Sequence, residues 1–189
     1  MLGVRFLPSG LSRFIQLPLH ELTNQRICAD EVTNFFDASF AERLCEEDNF
    51  GDRIKIIEEL FIKSLYKYDL QTDPQIAFAI EQINRHQGKL PVQSLVEDIC
   101  LCQRQFERKF KMNTGYTPKI YSRIMQFKNA VDLLRSATCD NLLSTAVHAG
   151  YYDVPHLSRE IKRMSGNTPY SFLALPSPEE EVTLTYVEA

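Results

Sequence analysis

The sequence lacks the features that mark specialised classes of protein. Only 7 of its 189 residues are glycine and 9 are proline, which excludes collagen-like and low-complexity chains. No apolar run approaches the roughly 18–20 residues that span a bilayer, and Met1 is not followed by a basic segment and an apolar signal core. Hydrophobic residues make up 44% of the chain, so we expect a globular, cytoplasmic protein with no membrane partner.

Motifs for catalysis and metal binding are also missing. The four histidines are scattered, and no G-x-S-x-G, H-E-x-x-H or phosphate-binding glycine loop occurs. The five cysteines include no C-x-x-C pair, so they support neither a disulfide framework nor a zinc ribbon. We interpret all five as reduced thiols, and Cys100 and Cys102 as small core residues. The sequence therefore predicts no enzyme, no cofactor and no metal site.

Charge is distributed along the chain in three blocks. The net charge is −4 overall, but it is −6 over residues 1–84, +6 over residues 85–175 and −4 over residues 176–189. A basic block inside an acidic chain is the electrostatic pattern of a nucleic-acid-binding segment. On charge alone, a solvated basic face is an equally good explanation.

The first 70 residues predict a short strand region followed by helices. Residues 4–7 and 11–15 lie on either side of the turn pair Ser9-Gly10, a pattern that predicts one or two short strands. Apolar residues at three- and four-residue steps then predict a helix from Asp30 to Leu44 and another over residues 54–65. The first of these carries an aromatic stripe that we expect in the core: Phe35, Phe36 and Phe40. Since strands need a sheet to pair with, a β-rich domain is expected upstream.

From residue 73 onward the pattern is helical. Asp73 and Pro74 form a helix-start signal, so a domain boundary is predicted just before them. Apolar periodicity and turn residues predict seven helices, which cover residues 74–88, 92–99, 103–112, 117–137, 141–149, 154–164 and 168–174. The acidic residues 176–189 are expected to form a solvated tail.

A shift of 51 positions superimposes two copies of one unit. Five identities fall within eleven positions, pairing Arg108 with Arg159, Lys111 with Lys162, Gly115 with Gly166, Thr117 with Thr168 and Pro118 with Pro169. Each copy is a short helix, a tight turn and an amphipathic helix with a basic outer face. This pattern indicates a helix-turn-helix, whose second helix enters the DNA major groove.

Helical periodicity assigns the outer face of each second helix. Phe106 and Phe110 point inward in the first copy, and Leu157 and Ile161 do so in the second. The outward side chains are candidate DNA contacts, since Arg and Gln can pair with base edges and Lys most often meets phosphate. They are Gln103, Arg104, Glu107, Arg108 and Lys111 in the first copy and Val154, Pro155, Ser158, Arg159 and Lys162 in the second, with His156 at the margin.

The helix predicted between the copies suggests how they are spaced. Its 21 residues, 117–137, would extend roughly 31 Å at 1.5 Å per residue, close to one DNA turn of about 34 Å. One chain could thus insert two recognition helices into successive major grooves. The alternative is a helical protein–protein interaction module derived from a helix-turn-helix domain that no longer reads DNA.

Two stretches of the repeat region carry a family resemblance. One is 105–111, with Gly115-Tyr116-Thr117-Pro118 and Tyr121, and the other is 150–163, with residues 166–169 and Phe172. Through them, residues 75–174 resemble the DNA-binding domain of AraC/XylS-type transcription regulators, the first stretch its first recognition helix and exit and the second its most characteristic signature. The resemblance implies a seven-helix domain with two helix-turn-helix units. It also implies double-stranded promoter DNA and RNA polymerase as partners, with an unidentified effector.

Departures from the family's pattern are concentrated in the turns and at the helix ends. Cys100 stands where glycine is usual, Cys102 where a capping serine is usual, and Val96 where a small alanine is usual. Phe172-Leu173 replaces a tyrosine-arginine pair, and Pro155 stands where a base-reading side chain can occur. We therefore expect a looser first unit and fewer bases read by the second.

The resemblance extends weakly to the region before residue 70. Residues 3–8 and the helices after them are similar to the end of the regulatory domain in one branch of the family. The domain prediction is a regulatory-domain remnant at residues 1–70, a mainly α double helix-turn-helix domain at residues 73–175 and an acidic tail at residues 176–189.

Overall fold

The computed structural model describes residues 3–32, 36–68, 73–136 and 141–173. Over these residues the chain is helical, which confirms the mainly α prediction, and no helix among them is both long and apolar enough to cross a membrane. The helices begin with two short 3-10 helices, Gly10–Arg13 and Leu19–Glu21. The α-helices are α1 Ala29–Val32, α2 Ala38–Glu46, α3 Phe50–Tyr68, α4 Pro74–Arg85, α5 Val92–Asp98, α6 Gln103–Thr114, α7 Pro118–Arg135, α8 Leu142–His148, α9 Val154–Ser165 and α10 Pro169–Leu173.

The described residues form two compact units, each with one copy of the repeat. The first unit comprises the described residues up to Gln82 together with Pro91–Tyr121, and so contains α5 and α6. The second comprises Ile83–Leu90 and the described residues from Ser122 on, and so contains α8 and α9. Described residues on both sides of position 70 belong to the first unit, and the domain boundary predicted there remains a prediction.

The strands predicted near the N-terminus are wrong. Residues 4–7 have no regular structure, and Gly10–Arg13 is a 3-10 helix that follows Ser9 at φ 62°. A strand needs a neighbouring strand to satisfy its backbone groups, and none lies in the described part of the chain. The apolar side chains pack into an aromatic cluster instead, in which the rings of Phe6 and Phe14 lie 5.3 and 4.9 Å from that of Phe61 on α3.

The helix predicted from Asp30 to Leu44 is interrupted. Residues 36 and 37, between α1 and α2, are not helical, and α2 begins after Asp37, whose Oδ1 accepts a hydrogen bond from the Phe40 backbone N–H at 2.8 Å. This cap favours a new helix start over continuation. Phe36 joins the aromatic cluster at 5.9 Å from Phe61 and contacts Phe40 at 5.6 Å. The third member of the predicted stripe, Phe35, lies outside the described residues.

The first unit packs its repeat around two fully buried phenylalanines. Phe106 and Phe110 on α6 are 0% exposed, and their rings lie 5.6 Å apart. Phe110 also contacts Tyr121 on α7 at 5.5 Å. The inward face predicted for α6 is therefore confirmed, and the residues opposite it face outward.

The second unit has its own apolar core. Its members come from α7, α8, α9, α10 and the turn between α8 and α9, and they are Ala130, Val131, Leu134, Ala146, Ala149, Tyr151, Leu157, Ile161 and Phe172. Gly88 allows the loop before α5 to approach α7, because a Cβ there would lie 2.0 Å from the Ser122 carbonyl oxygen at φ 75°. Leu157 and Ile161 are 0% exposed, so the inward face predicted for α9 is also confirmed.

The long helix is shorter than predicted. α7 has 18 residues, or about 27 Å at 1.5 Å per residue. Of its apolar residues, Ile120 is 43% exposed, and the others on the same face are buried or half-buried, namely Tyr121, Ile124, Phe127, Ala130, Val131 and Leu134. The predicted helix end at Ala137, the residue Cys139 and the acidic tail 176–189 lie outside the described residues.

Candidate nucleic-acid interface

The outer face of α6 is basic and open. Gln103, Arg104, Arg108 and Lys111 are exposed, opposite the buried phenylalanines. Arg104, Arg108 and Lys111 form no side-chain hydrogen bond or ion pair with any other described residue. Glu107 is half-buried and accepts a hydrogen bond from Gln103 Nε2 at 3.0 Å. Three cationic side chains are thus available on one helix face, where they suit phosphate and guanine.

Lys109, on the same helix, is hydrogen-bonded within the protein. Its Nζ donates to Asp73 Oδ2 at 2.8 Å and to Gln75 Oε1 at 3.2 Å, and Gln75 Nε2 donates to the Ile99 carbonyl oxygen at 2.8 Å. Burial opposes ionisation of Asp73, but hydrogen bonds from Lys109 and from the backbone N–H groups of Gln75 and Ile76 keep its pKa below the ordinary value. This network attaches α6 and the end of α5 to the start of α4.

The outer face of α9 is also basic, but more of its side chains are half-buried or hydrogen-bonded within the protein. Pro155, Arg159 and Lys162 are exposed, and Arg159 Nε donates to the Pro155 carbonyl oxygen at 3.3 Å. Lys162 makes no side-chain bond to another described residue. Ser158 is half-buried, as is Val154. The predicted outer set is therefore only partly open, with Arg159 and Lys162 as its two exposed cations.

His156 lies at the margin of the face, as predicted, and takes part in packing. Its ring meets the Tyr151 ring edge-on at 5.2 Å between centroids. Its Nδ1 accepts a hydrogen bond from the Tyr152 backbone N–H at 3.4 Å, and its own backbone N–H donates to Asp153 Oδ1 at 2.7 Å. Nδ1 is thus turned toward the start of α9, which leaves Nε2 as the ring atom for an external contact.

An ion-pair cluster attaches α9 to α7. Glu160 Oε2 accepts hydrogen bonds from Arg123 Nη2 at 2.9 Å and Nε at 3.3 Å, and from Arg163 Nη2 at 2.5 Å.

Burial, together with the Glu160 charge, raises the pKa of Tyr151 to about 12 despite the opposing effect of Arg123. Tyr151 is therefore neutral at physiological pH.

The turn of the second unit is held from outside the helix-turn-helix. Gln126 Nε2, on α7, donates to the carbonyl oxygens of Ala149 and Gly150 at 3.0 and 2.9 Å. Lys89 Nζ donates to the His148 carbonyl oxygen at 3.1 Å. Sequence reasoning missed Gln126, Lys89, Arg123 and Lys109, because each contacts residues far along the chain and no local pattern marks such pairs.

The cysteines at the first turn are not core residues, contrary to the prediction. Cys100 and Cys102 are free and exposed, as are Cys28 and Cys45. Cys100 occupies a left-handed turn position at φ 52°, and Cys102 precedes the first residue of α6, so both lie on the outside of the turn. Within the described ranges no three His, Cys, Asp or Glu side chains group together as a metal site would require.

Comparison with known proteins identifies the fold of the repeat region. Residues 95–174 match a family described as a helix-turn-helix domain. The structure of the xylose-binding transcription activator XylR is similar with a TM-score of 0.51 and 22% identity, over 57% of this chain and 28% of that one. This chain therefore spans less than a third of that protein's length.

Two smaller solved structures are also similar. The DNA-binding domain of AdpA, a global transcriptional factor solved with a target DNA, has a TM-score of 0.49 and 22% identity, covering 55% of this chain and 92% of that one. A probable AraC family transcriptional regulator from Rhodopseudomonas palustris CGA009 has a TM-score of 0.48 and 18% identity, covering 53% and 95%. No curated protein matches the sequence significantly.

Proposed function

We propose that this chain, whose residues 95–174 match a helix-turn-helix domain family, is an AraC-type transcription regulator that binds double-stranded promoter DNA. The observation that carries the proposal is the outer face of α6. Arg104, Arg108 and Lys111 are exposed there with no partner among the described residues. A protein that leaves three cations unpaired on one helix face, in a helix-turn-helix, has the chemistry for phosphate and base contacts.

The two second helices have parallel roles in this proposal. Arg108 on α6 and Arg159 on α9 read guanine through O6 and N7, while Lys111 and Lys162 bind phosphate. Gln103, Arg104, Glu107, Pro155, His156 and Ser158 complete the contact surface. The polar side chains among them can add hydrogen bonds to the bases or to the DNA backbone, whereas Pro155 can add only shape complementarity.

We further propose that α6 and α9 enter successive major grooves of one DNA site. The repeat itself supports this arrangement, because both copies carry the same basic pattern on their second helices. The length of α7, about 27 Å, supports it less strongly than the predicted 31 Å did, since one DNA turn is about 34 Å. Recruitment of RNA polymerase, which the family resemblance implies, is testable by transcription from the selected promoter.

A protein-contact module is the second candidate function. Leu143 and Val147 on α8 are 57% and 61% exposed and lie four residues apart, so they share one helix face. Leu143 also lines a groove of about 580 Å³ with Leu133, Tyr170 and Leu173. An apolar face of this kind suits a protein partner, and binding through it would be insensitive to salt.

The test is a titration of the full chain against a selected DNA site at two salt concentrations. We expect affinity to fall steeply with salt, and Arg108→Ala and Arg159→Ala each to weaken binding by about 1–3 kcal/mol. Lys63→Ala, an exposed cation on α3, is the control and should leave affinity unchanged. Folded Arg108→Ala and Arg159→Ala variants that bind as tightly as the parent would refute the assignment.

A further inference from the structure

A segment near the N-terminus reaches the end of the first recognition helix. The 3-10 helix Leu19–Glu21 lies against α6. Just after it, Thr23 Oγ1 donates to the Gly115 carbonyl oxygen at 3.2 Å, across 92 positions in sequence, and shares this hydrogen with the Leu19 carbonyl oxygen at 3.3 Å. Gly115 ends α6 at φ 84°. This contact involves residues outside the matched stretch 95–174.

The repeat supplies an internal control for this contact. Gly115 and Gly166 are equivalent, and both end a recognition helix with a positive φ, 84° and 75°. A Cβ at Gly115 would lie 2.8 Å from Thr23 Oγ1 and 3.3 Å from the Leu19 carbonyl oxygen, whereas a Cβ at Gly166 would have no described residue within 4 Å. The N-terminal segment therefore covers the exit of α6, and no described residue covers the equivalent exit of α9.

The contact leaves the candidate reading face of α6 free. Arg104, Arg108 and Lys111 remain exposed, so the segment does not block them. At its other end, α6 is preceded by Cys102, whose side chain forms no cap. A helix with an uncapped start gains more from tertiary contacts along its length and at its end.

We propose that residues 18–23 are a brace that positions α6, and that Thr23 is its positioning residue. The brace depends only on the contacts above. Its consequence for DNA rests on the proposed function: reading of the half-site contacted by α6 depends on the N-terminal segment, while reading by α9 does not. The N-terminal region is then part of the first recognition unit and not an appendage to it.

Hydrogen–deuterium exchange of the full chain tests the brace without DNA. Thr23→Val keeps the shape of the side chain but removes its donor, and Thr23→Ser keeps the donor. We expect amides at residues 111–116 to exchange about three- to tenfold faster in Thr23→Val, as for loss of one hydrogen bond, with parental rates at residues 162–167. Thr23→Ser should restore the slow rates. Unchanged exchange at residues 111–116 in Thr23→Val overturns the brace.

Footprinting on a selected two-part site tests its consequence. We expect Thr23→Val to weaken protection of the half-site that Arg108→Ala also weakens, by about three- to tenfold, and to spare the other. Equal loss at both half-sites overturns the positioning role. If the parent chain binds no DNA while exchange still responds to Thr23→Val, the proposed function fails and the brace stands.

Discussion

The helices of the second helix-turn-helix unit start with capping side chains, and those of the first unit do not. Asn141 Oδ1 accepts from the Ser144 N–H at 2.9 Å at the start of α8, and Asp153 Oδ1 accepts from the His156 N–H at 2.7 Å at the start of α9. In the first unit, Pro91 and Cys102 occupy these positions without a side-chain bond. Each missing cap leaves backbone N–H groups to be satisfied by solvent or by other contacts.

The turn between the helices is also more favourable in the second unit, because a glycine occupies its left-handed position. Gly150 adopts φ 80° in the second unit, a conformation that glycine reaches without penalty, whereas Cys100 adopts φ 52° in the first. The first unit is held by distant contacts instead, namely Lys109 with Asp73 and Thr23 with Gly115. Both copies therefore have contacts from outside the helix-turn-helix, but only the second copy also has side-chain caps at its helix starts.

The largest expected effect comes from adding a methyl group at the two helix exits. Gly115→Ala should lower the free energy of unfolding by about 2–3 kcal/mol, because the Cβ adds a collision with Thr23 to the cost of a positive φ. Gly166→Ala should cost about 1 kcal/mol, since it meets only the positive-φ cost. Urea denaturation of both variants checks this, and equal costs would contradict the asymmetry.

The next largest difference between the two units is expected when the residue before a recognition helix is replaced by alanine. Asp153→Ala is expected to lower the free energy of unfolding by about 1–2 kcal/mol, because the His156 N–H loses its acceptor. Cys102→Ala removes no cap and should change it by less than about 0.5 kcal/mol. Thermal or urea unfolding of the matched pair measures the difference. Comparable losses would show that Cys102 contributes something beyond the absent cap.

Repair of the first unit is the converse experiment. Cys102→Asp should supply the missing acceptor, and Cys100→Gly should relieve the left-handed turn. Each is expected to raise the free energy of unfolding by about 0.5–1 kcal/mol. Hydrogen exchange should show the added protection at the start of α6 and none in α9. No gain from either change would mean that remote contacts already compensate fully.

The smallest expected effect is a pH dependence confined to the first unit. The pKa of Asp73 is lowered by its hydrogen bonds from Lys109 and the backbone, so the folded state favours the carboxylate. Its stabilising contribution is full above the ordinary value of 3.8 and is lost as the pH falls from there through the lower folded pKa. Asp73→Asn should flatten this acid loss. If the variant loses as much unfolding free energy at low pH as the parent does, Asp73 is not the cause of that loss.

Most of the fold is predictable from local sequence patterns. The features that these patterns missed depend on contacts between residues far apart in the sequence. The inward positions Phe106, Phe110, Leu157 and Ile161 were predictable because helical periodicity is a property of the helix itself. The strand prediction near residue 10 failed because short apolar segments around a turn pair cannot reveal whether a partner strand exists. The contacts of Thr23, Lys109 and Arg123 join residues with no shared local pattern, so only the folded chain reveals them.

We propose that one chain reads DNA with two helices, and footprinting on a selected site tests this. Genomic fragments that remain bound to the full chain at high salt are selected, and Arg108→Ala and Arg159→Ala are then footprinted on the selected site. We predict a two-part site with halves about one turn apart, one half lost in each variant. A single undivided site, or two variants that lose the same half, would contradict the account.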